Sequence, residues 1–416
     1  MGTTAFVSRR TTLMRVRSAA ALLGPAFVAA IAYADPGNVA ANISAGARFG
    51  YLLVWVIVVA DAMAGLVQFL SAKLGLVTGR TLPEMVRAHT NRPMRLAYWA
   101  QAETVAMATD LAEVVGGAIA LNMLFGLPLI VGGVLTGIAS MLLLAVQNRW
   151  GQQPFERFAI GLLTVVALGF VVSAVMARPS ISDAVGGTVP RFQGTESMLL
   201  AAAIMGATVM PHAVYLHSGL VRDRHGHPSS RSDRTRLLRA TRGDVALAML
   251  LAGAVNLAML LLAAGTLHGH MEGASLEAAH AGIRDALGPA AGLLLAIGLL
   301  ASGVASTSVG AYAGAMIMQG LLHRRVALIT RRLITLVPAF VVLAAGADPT
   351  QALIISQVIL SFGIPFALIP LVYFTSNRTL MGADANHRST TLVAWLVAAV
   401  VTALNVVLLS LTVAGS

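Results

Sequence analysis

Two short polar interruptions sit inside otherwise apolar runs, and together they offer the ligands of a divalent-cation site. The first is Asp35-Pro36-Gly37-Asn38; the second is Gly206-Ala207-Thr208-Val209-Met210-Pro211-His212. Proline withholds a backbone donor and clashes with the preceding turn, while glycine tolerates unwinding, so a helix is expected to break at each. A break frees main-chain carbonyls that a helix would use, with Ala32 and Ala207 the expected contributors. With Asp35 and Asn38 from one run and Met210 from the other, the set is a carboxylate, an amide oxygen, carbonyls and a thioether. Oxygen ligands alone suit Mg²⁺ or Ca²⁺ as well as any. A thioether adds little for those hard ions and binds Mn²⁺, Fe²⁺, Co²⁺ or Cd²⁺ better, so Met210 reads as a selectivity device. Methionine is also ordinary apolar filler, and the chain has 18 of them. Only its place beside Pro211, opposite Asp35, separates Met210 from that background.

A second group of residues suits proton relay. Asp110 and Glu113 are three apart and share one helical face, and Glu103 extends the acidic row along the same run. Neighbouring carboxylates in a low-dielectric medium are a common device for passing protons. His212, of a residue type that titrates near neutrality, lies beside Met210. Arg331 and Arg332 are candidate partners on the cytoplasmic side of the acidic row; the competing reading is a helix end anchored by snorkelling.

These residues need elements to hold them, and composition says which. The chain of 416 residues is 57% hydrophobic and 11% charged, with mean hydropathy +0.81. That is too little charge to cover a water-soluble surface, so the chain is an integral membrane protein. The net charge of +11 lies between apolar runs rather than on one face, which argues against nucleic acid. There is no cysteine, excluding disulfides and thiolate metal sites, and Lys73 is the only lysine. Apolar runs of roughly 17–25 residues number eleven, near 19–45, 51–73, 96–123, 128–147, 157–177, 196–221, 244–267, 289–320, 326–345, 350–375 and 391–413. Basic residues crowd the N-terminus (Arg9, Arg10, Arg15, Arg17) and the loops after spans 2 and 6, whereas the alternate loops hold few. The N-terminus is therefore expected inside and the C-terminus outside. Asp35, Asp61, Glu103, Asp110 and Glu113 fall within spans, the other twelve carboxylates in loops or at span ends. Only His212 and His217 of the ten histidines are within spans. A charge at the bilayer centre costs at least about 2.5–3.5 kcal/mol, which makes each a functional hypothesis.

The interruptions fall in spans 1 and 6, so two five-span units place them at corresponding positions, and an odd number inverts the second unit. Interrupted helices at matching positions of inverted repeats point to a midplane transport site. The expected organisation is a cytoplasmic tail (1–18), a first five-helix repeat (19–177), an external loop (178–195), a second repeat (196–375), and an eleventh helix with the C-terminus (376–416). Simple proline kinks are the plain alternative, but they leave the polar residues beside each proline unexplained. Ala32-Tyr33-Ala34 also has the small-x-small form of a signal-peptidase site, though cleavage there would truncate one repeat and leave ten spans. His268 to Glu272 (H-G-H-M-E) and the basic loop after span 6 are discounted, as a solvated loop and as a topology signal.

Asp35-Pro36-Gly37-Asn38, G-A-T-V-M-P-H at 206–212, L-V-Q-F-L-S-A-K-L-G-L-V-T-G-R at 66–80 and A-T-D-L-A-E at 108–113 together resemble the Nramp family, and its bacterial manganese transporters in particular. The similarity runs from about residue 20 to the last span. It implies an all-α, leucine-transporter-like fold, a 5+5 inverted repeat plus one helix, importing divalent transition metals with protons across a bacterial inner membrane, with no cofactor. Position by position, Asp35, Asn38 and Met210 match the family's metal ligands, Ala32 and Ala207 its carbonyl donors, and Gln357 in S-Q-V-I-L-S-F-G a polar residue near the site. Asp110, Glu113, His212, Arg331 and Arg332 match its proposed proton route. Asp61 departs from the pattern, standing where the family usually has Asn, and Gly65 stands where a larger residue is common. The expectation is therefore a proton-coupled importer of Mn²⁺, also accepting Fe²⁺, Cd²⁺ and Co²⁺, and working as a monomer. Its rivals are a sodium-coupled carrier of an organic solute, a membrane metalloenzyme and a passive channel.

Overall fold

The computed structural model describes residues 24–150, 152–228, 230–269, 275–323 and 328–413. The tail expected at 1–18, its arginines and most of the His268 to Glu272 stretch lie outside the described residues. Every expected span is met by a helix or a broken pair of helices. Span 1 is α1 (Pro25–Ile31), a 3-10 turn (Ala32–Ala34) and α2 (Pro36–Phe49). Then come α3 (Val54–Thr78), a short α4 (Leu82–His89), α5 (Arg92–Phe125), α6 (Leu129–Trp150) and α7 (Gln152–Ala177). A short α8 (Ile181–Gly186) precedes the second broken span, α9 (Gly194–Thr208) and α10 (Pro211–His225). The rest are α11 (Arg231–Thr266), α12 (Leu276–Leu287), α13 (Pro289–Leu322), α14 (Leu328–Ala344), α15 (Pro349–Ser376), α16 (Arg378–Met381) and α17 (Arg388–Val413).

Three features differ from the sequence expectation. The loop after span 5 contains the helix α8. The helix of span 7 begins at Arg231 rather than near residue 244, because a charged amphipathic extension carries no apolar signal. In consequence Asp244 is not at a helix end; it is buried within α11.

The packing repeats with a shift of five spans. α11 packs along both halves of span 1, and α3 packs along both halves of span 6. α7 packs on α13 as α15 packs on α5, and α7 meets α11 as α15 meets α3. The pairs α5–α13 and α6–α14 map onto themselves. Such a set is what a two-fold axis in the membrane plane produces. The axis crosses the two breaks: α1 lies against α10 and α2 against α9.

The side chains fit a bilayer. Leu142, Leu168, Leu250, Val337 and Leu396 are exposed on the outer surface, where lipid replaces water. Inside, alanine and glycine predominate, since helices in lipid associate by close backbone approach rather than by apolar transfer. Gly206 shows the limit: a Cβ there would collide with the Gln357 carbonyl, so α9 and α15 need a glycine at that position. The last helix is tied on by a polar clasp, Ser361 Oγ to Asn405 Oδ1 at 2.7 Å and Asn405 Nδ2 to the Ser361 carbonyl at 2.8 Å.

Candidate functional site

Each break is built so that its proline costs no hydrogen bond. Pro36 and Pro211 open α2 and α10, where the first-turn N–H groups have no helical partner anyway. The break therefore exposes two kinds of helix end. The carbonyl ends of α1 and α9 favour a cation, and the N–H ends of α2 and α10 oppose one. Asp35 resolves the conflict at α2. It is the N-cap, its Oδ1 accepting from the Asn38 N–H at 2.7 Å, so its charge faces the positive end of that helix. At α10 the corresponding residue is Met210, which makes no side-chain cap.

The two halves meet through Asn38. Its amide nitrogen donates to the Tyr33 carbonyl at 2.5 Å and across the gap to the Ala207 carbonyl at 3.1 Å. Two acceptors on one side fix the amide's orientation, and Oδ1 turns to accept from Asn42 Nδ2 at 3.2 Å. Gln357 closes the third side. Its amide donates to Asp35 Oδ2 at 3.2 Å, and its side chain lies over Gly37, where any Cβ would overlap it. Gln357 thus lies between the glycines of both breaks. Asp35, Asn38, Met210, Ala207 and Gln357 are each 0% exposed and Ala32 is 1% exposed, so the gap is occluded. Asp35, Asn38, Ala207 and Gln357 are joined by direct hydrogen bonds. Met210 enters by its place at the second break, and Ala32 by its place in the 3-10 turn. The carbonyls held by polar partners in the first break are those of Tyr33 and Ala34, the latter by Ser302 Oγ.

The acidic row on α5 meets both arginines. Arg332 pairs with Asp110, with Glu113 Oε2 at 3.0 Å and with Ser140 Oγ at 2.9 Å. Arg331 pairs with Glu103 through two bonds of 3.3 and 3.1 Å. Both guanidinium groups are buried in these pairs. Side-chain exposure rises along the row, from 0% at Glu113 through 5% at Asp110 to 14% at Glu103. His212 Nδ1 lies 3.4 Å from the hydroxyl of Thr109, the residue before Asp110, bringing the second break to the acidic row. Asp61 is elsewhere, on the α3–α11 contact, where Gly253 leaves room for its carboxylate. Gly65 is on the same contact, 3.7 Å from Met249 by its notional Cβ.

Some polar partners of the site are not among the residues expected there. Asn42 links Asn38 to Asn256 Oδ1 at 3.3 Å on α11, and Gln68 joins the Tyr33 hydroxyl to His217 Nδ1. Polar residues inside apolar spans were the available clue for Asn42, Gln68 and Asn256. Asp244 accepts from the Gly24 and Ala26 N–H groups at 3.1 and 3.0 Å, capping α1 from 220 and 218 residues away in sequence.

Known proteins resemble this chain in sequence and in fold. Residues 26–411 match the family described as natural resistance-associated macrophage protein-like, Nramp. A relative named divalent metal cation transporter MntH, from Mycobacterium tuberculosis, is 64% identical over 394 residues, 95% of this chain and 92% of its own length. Among solved structures, the Eremococcus coleocola manganese transporter, crystallised with an aromatic bis-isothiourea compound, superposes with TM-score 0.83 at 30% identity, covering 94% of this chain and 86% of its own. Mhp1, a nucleobase-cation-symport-1 family transporter in a closed conformation, shares the fold with TM-score 0.60 at 16% identity, covering 93% and 90%.

Proposed function

This chain belongs to the Nramp family, and from that membership we propose that it imports Mn²⁺ and similar divalent transition metals together with protons. It is a membrane transporter of divalent metal, not an enzyme. The finer reading rests on one observation above the others: Asn38 reaches across from the first break to the Ala207 carbonyl of the second, beside Asp35. A cation bound there would take the Ala207 carbonyl, within 3.1 Å of the Asn38 amide, as one of its ligands. Asp35 neutralises charge, Asn38 and the freed carbonyls replace water, and Met210 discriminates against Ca²⁺ and Mg²⁺. Because the site ties together two half-helices from opposite repeats, filling it changes the balance between arrangements open to either side.

The proton takes a separate route. Two carboxylates, Asp110 and Glu113, share the single Arg332 guanidinium, leaving one negative charge for a proton to neutralise. His212 and Thr109 stand between the metal gap and this triad, and the Glu103–Arg331 pair continues the route toward the more exposed end. The distribution of arginines supports an N-terminus in the cytoplasm of a bacterial inner membrane and a C-terminus outside.

Calorimetry with Asp35→Ala tests the site. The variant should lose Mn²⁺ affinity by about 100-fold or more, since removing one partner of a desolvated charge pairing costs about 3 kcal/mol or more. Near-normal affinity would end the midplane proposal.

A further inference from the structure

The metal route leaves one built feature of the molecule unused. On the face that the arginine distribution turns inward, a cavity of about 550 Å³ opens between α4, the start of α5 and the end of α13. Arg87, Arg92 and Arg95 line one side. Leu96, Trp99, Leu321 and Leu322 line the other. A second cavity, of about 470 Å³, shares Arg87 and Arg95 and adds Arg80 and His323. Topology alone accounts for arginines in this loop, but not for their convergence on a cavity with an apolar wall.

The charge balance is equally specific. Among the described residues, Glu84 is the one carboxylate lining either cavity, and it is already committed. Its oxygens accept two bonds of 3.0 Å from Arg222 and one of 2.8 Å from the Thr81 N–H in a capping box. Among the described residues, none of Arg80, Arg87, Arg92 and Arg95 pairs with a carboxylate. The site is thus a set of uncompensated guanidinium groups, suited to bidentate phosphate recognition, beside an apolar slot that includes the Trp99 indole.

We propose that this groove binds the phosphate headgroup of an anionic phospholipid of the inner leaflet, with the acyl chain against Leu96, Trp99 and Leu322. Charge complementarity selects an anion, and the apolar wall selects one that carries a hydrocarbon tail over a free anion. A lipid there bridges α4, which continues from α3, to α5 and α13, which pack on each other. It therefore touches both the helices that flank the broken spans and those that frame them.

Trp99 is the reporter. In a chain with Trp55, Trp150 and Trp395 replaced by Phe, fluorescence is read in vesicles of brominated phosphatidylglycerol or brominated phosphatidylcholine. The anionic lipid should quench Trp99 with an apparent preference of about fivefold or more, the worth of even one arginine contact near a membrane surface. The preference should fall to about one in the combined Arg87→Gln, Arg92→Gln, Arg95→Gln variant, and Lys at the three positions should restore part of it. Equal quenching by the two lipids in the parent chain overturns the proposal, whatever the variants do. So does an equal preference reported by a chain whose only tryptophan is Trp395, on α17, since surface potential alone would then explain it. Loss of the preference on adding inorganic phosphate at fixed ionic strength would assign the site to a free anion and overturn the lipid.

Discussion

Asp35 engages both carboxylate oxygens, one with the Asn38 N–H and one with the Gln357 amide. Its charge is therefore held in place at the gap. Met210 has no such duty, and its role is narrower. Met210→Ala should leave Ca²⁺ binding nearly unchanged while weakening Cd²⁺ and Mn²⁺ about tenfold, the scale of one lost soft-ligand contact of roughly 1.4 kcal/mol. Competition of Ca²⁺ against radioactive Mn²⁺ measures this directly, and an unaltered competition curve would remove Met210 from the filter. Asp110→Asn keeps the shape of the Arg332 triad but removes one carboxylate charge. Metal-driven acidification of liposomes by that variant should fall severalfold while equilibrium Mn²⁺ binding persists; intact acidification would move the proton elsewhere. At this scale the sequence was informative where chemistry and spacing coincide. Asp35 and Asn38 share one motif, and Asp110 and Glu113 share a face. It was silent on Tyr33 and Ala34 as carbonyl donors held by partners, because a main-chain oxygen leaves no mark in residue type.

At the scale of elements, the breaks were legible because Pro and Gly act locally. Pro36 and Pro211 restart helices at the positions where a missing N–H is harmless. Long-range packing was not legible. Nothing near Gly206 announces that its hydrogen faces the Gln357 carbonyl, and nothing near Gly24 announces Asp244. The start of α11 was misplaced for a related reason: its first turns are charged, and an apolar run marks only the part in lipid. Gly206→Ala tests the packing. The added methyl must push α9 from α15, so thermal unfolding in detergent should report a loss of about 1–3 kcal/mol, with transport reduced further. An unchanged melting temperature would mean that the two helices are not held as closely as described. Arg332→Met leaves Asp110 and Glu113 buried together without their cation, and a larger loss of about 3–5 kcal/mol is expected at neutral pH.

The whole molecule is two interrupted helices clasped at an occluded site within a five-span repeat of contacts, and the proposed import needs the clasp to open on one side at a time. Composition announced the membrane, and the positions of the breaks announced the repeat. Which contacts release was not announced, since that depends on how α1 meets α11. Asp244 holds the first turn of α1, so Asp244→Ala should favour opening on that side. The chain lacks cysteine, so one introduced at Val28 reports cleanly. Its labelling rate should rise severalfold in the Asp244→Ala background, and an unchanged rate would show that the cap is not a latch. Proton-coupled import of a divalent transition metal is tested most directly by Mn²⁺ uptake into proteoliposomes under imposed pH gradients, with Ca²⁺ and Mg²⁺ as competitors. An acid exterior should accelerate uptake and a reversed gradient should slow it, with excess Ca²⁺ or Mg²⁺ competing poorly. Uptake indifferent to the gradient and inhibited by Ca²⁺ as strongly as by unlabelled Mn²⁺ would contradict the account.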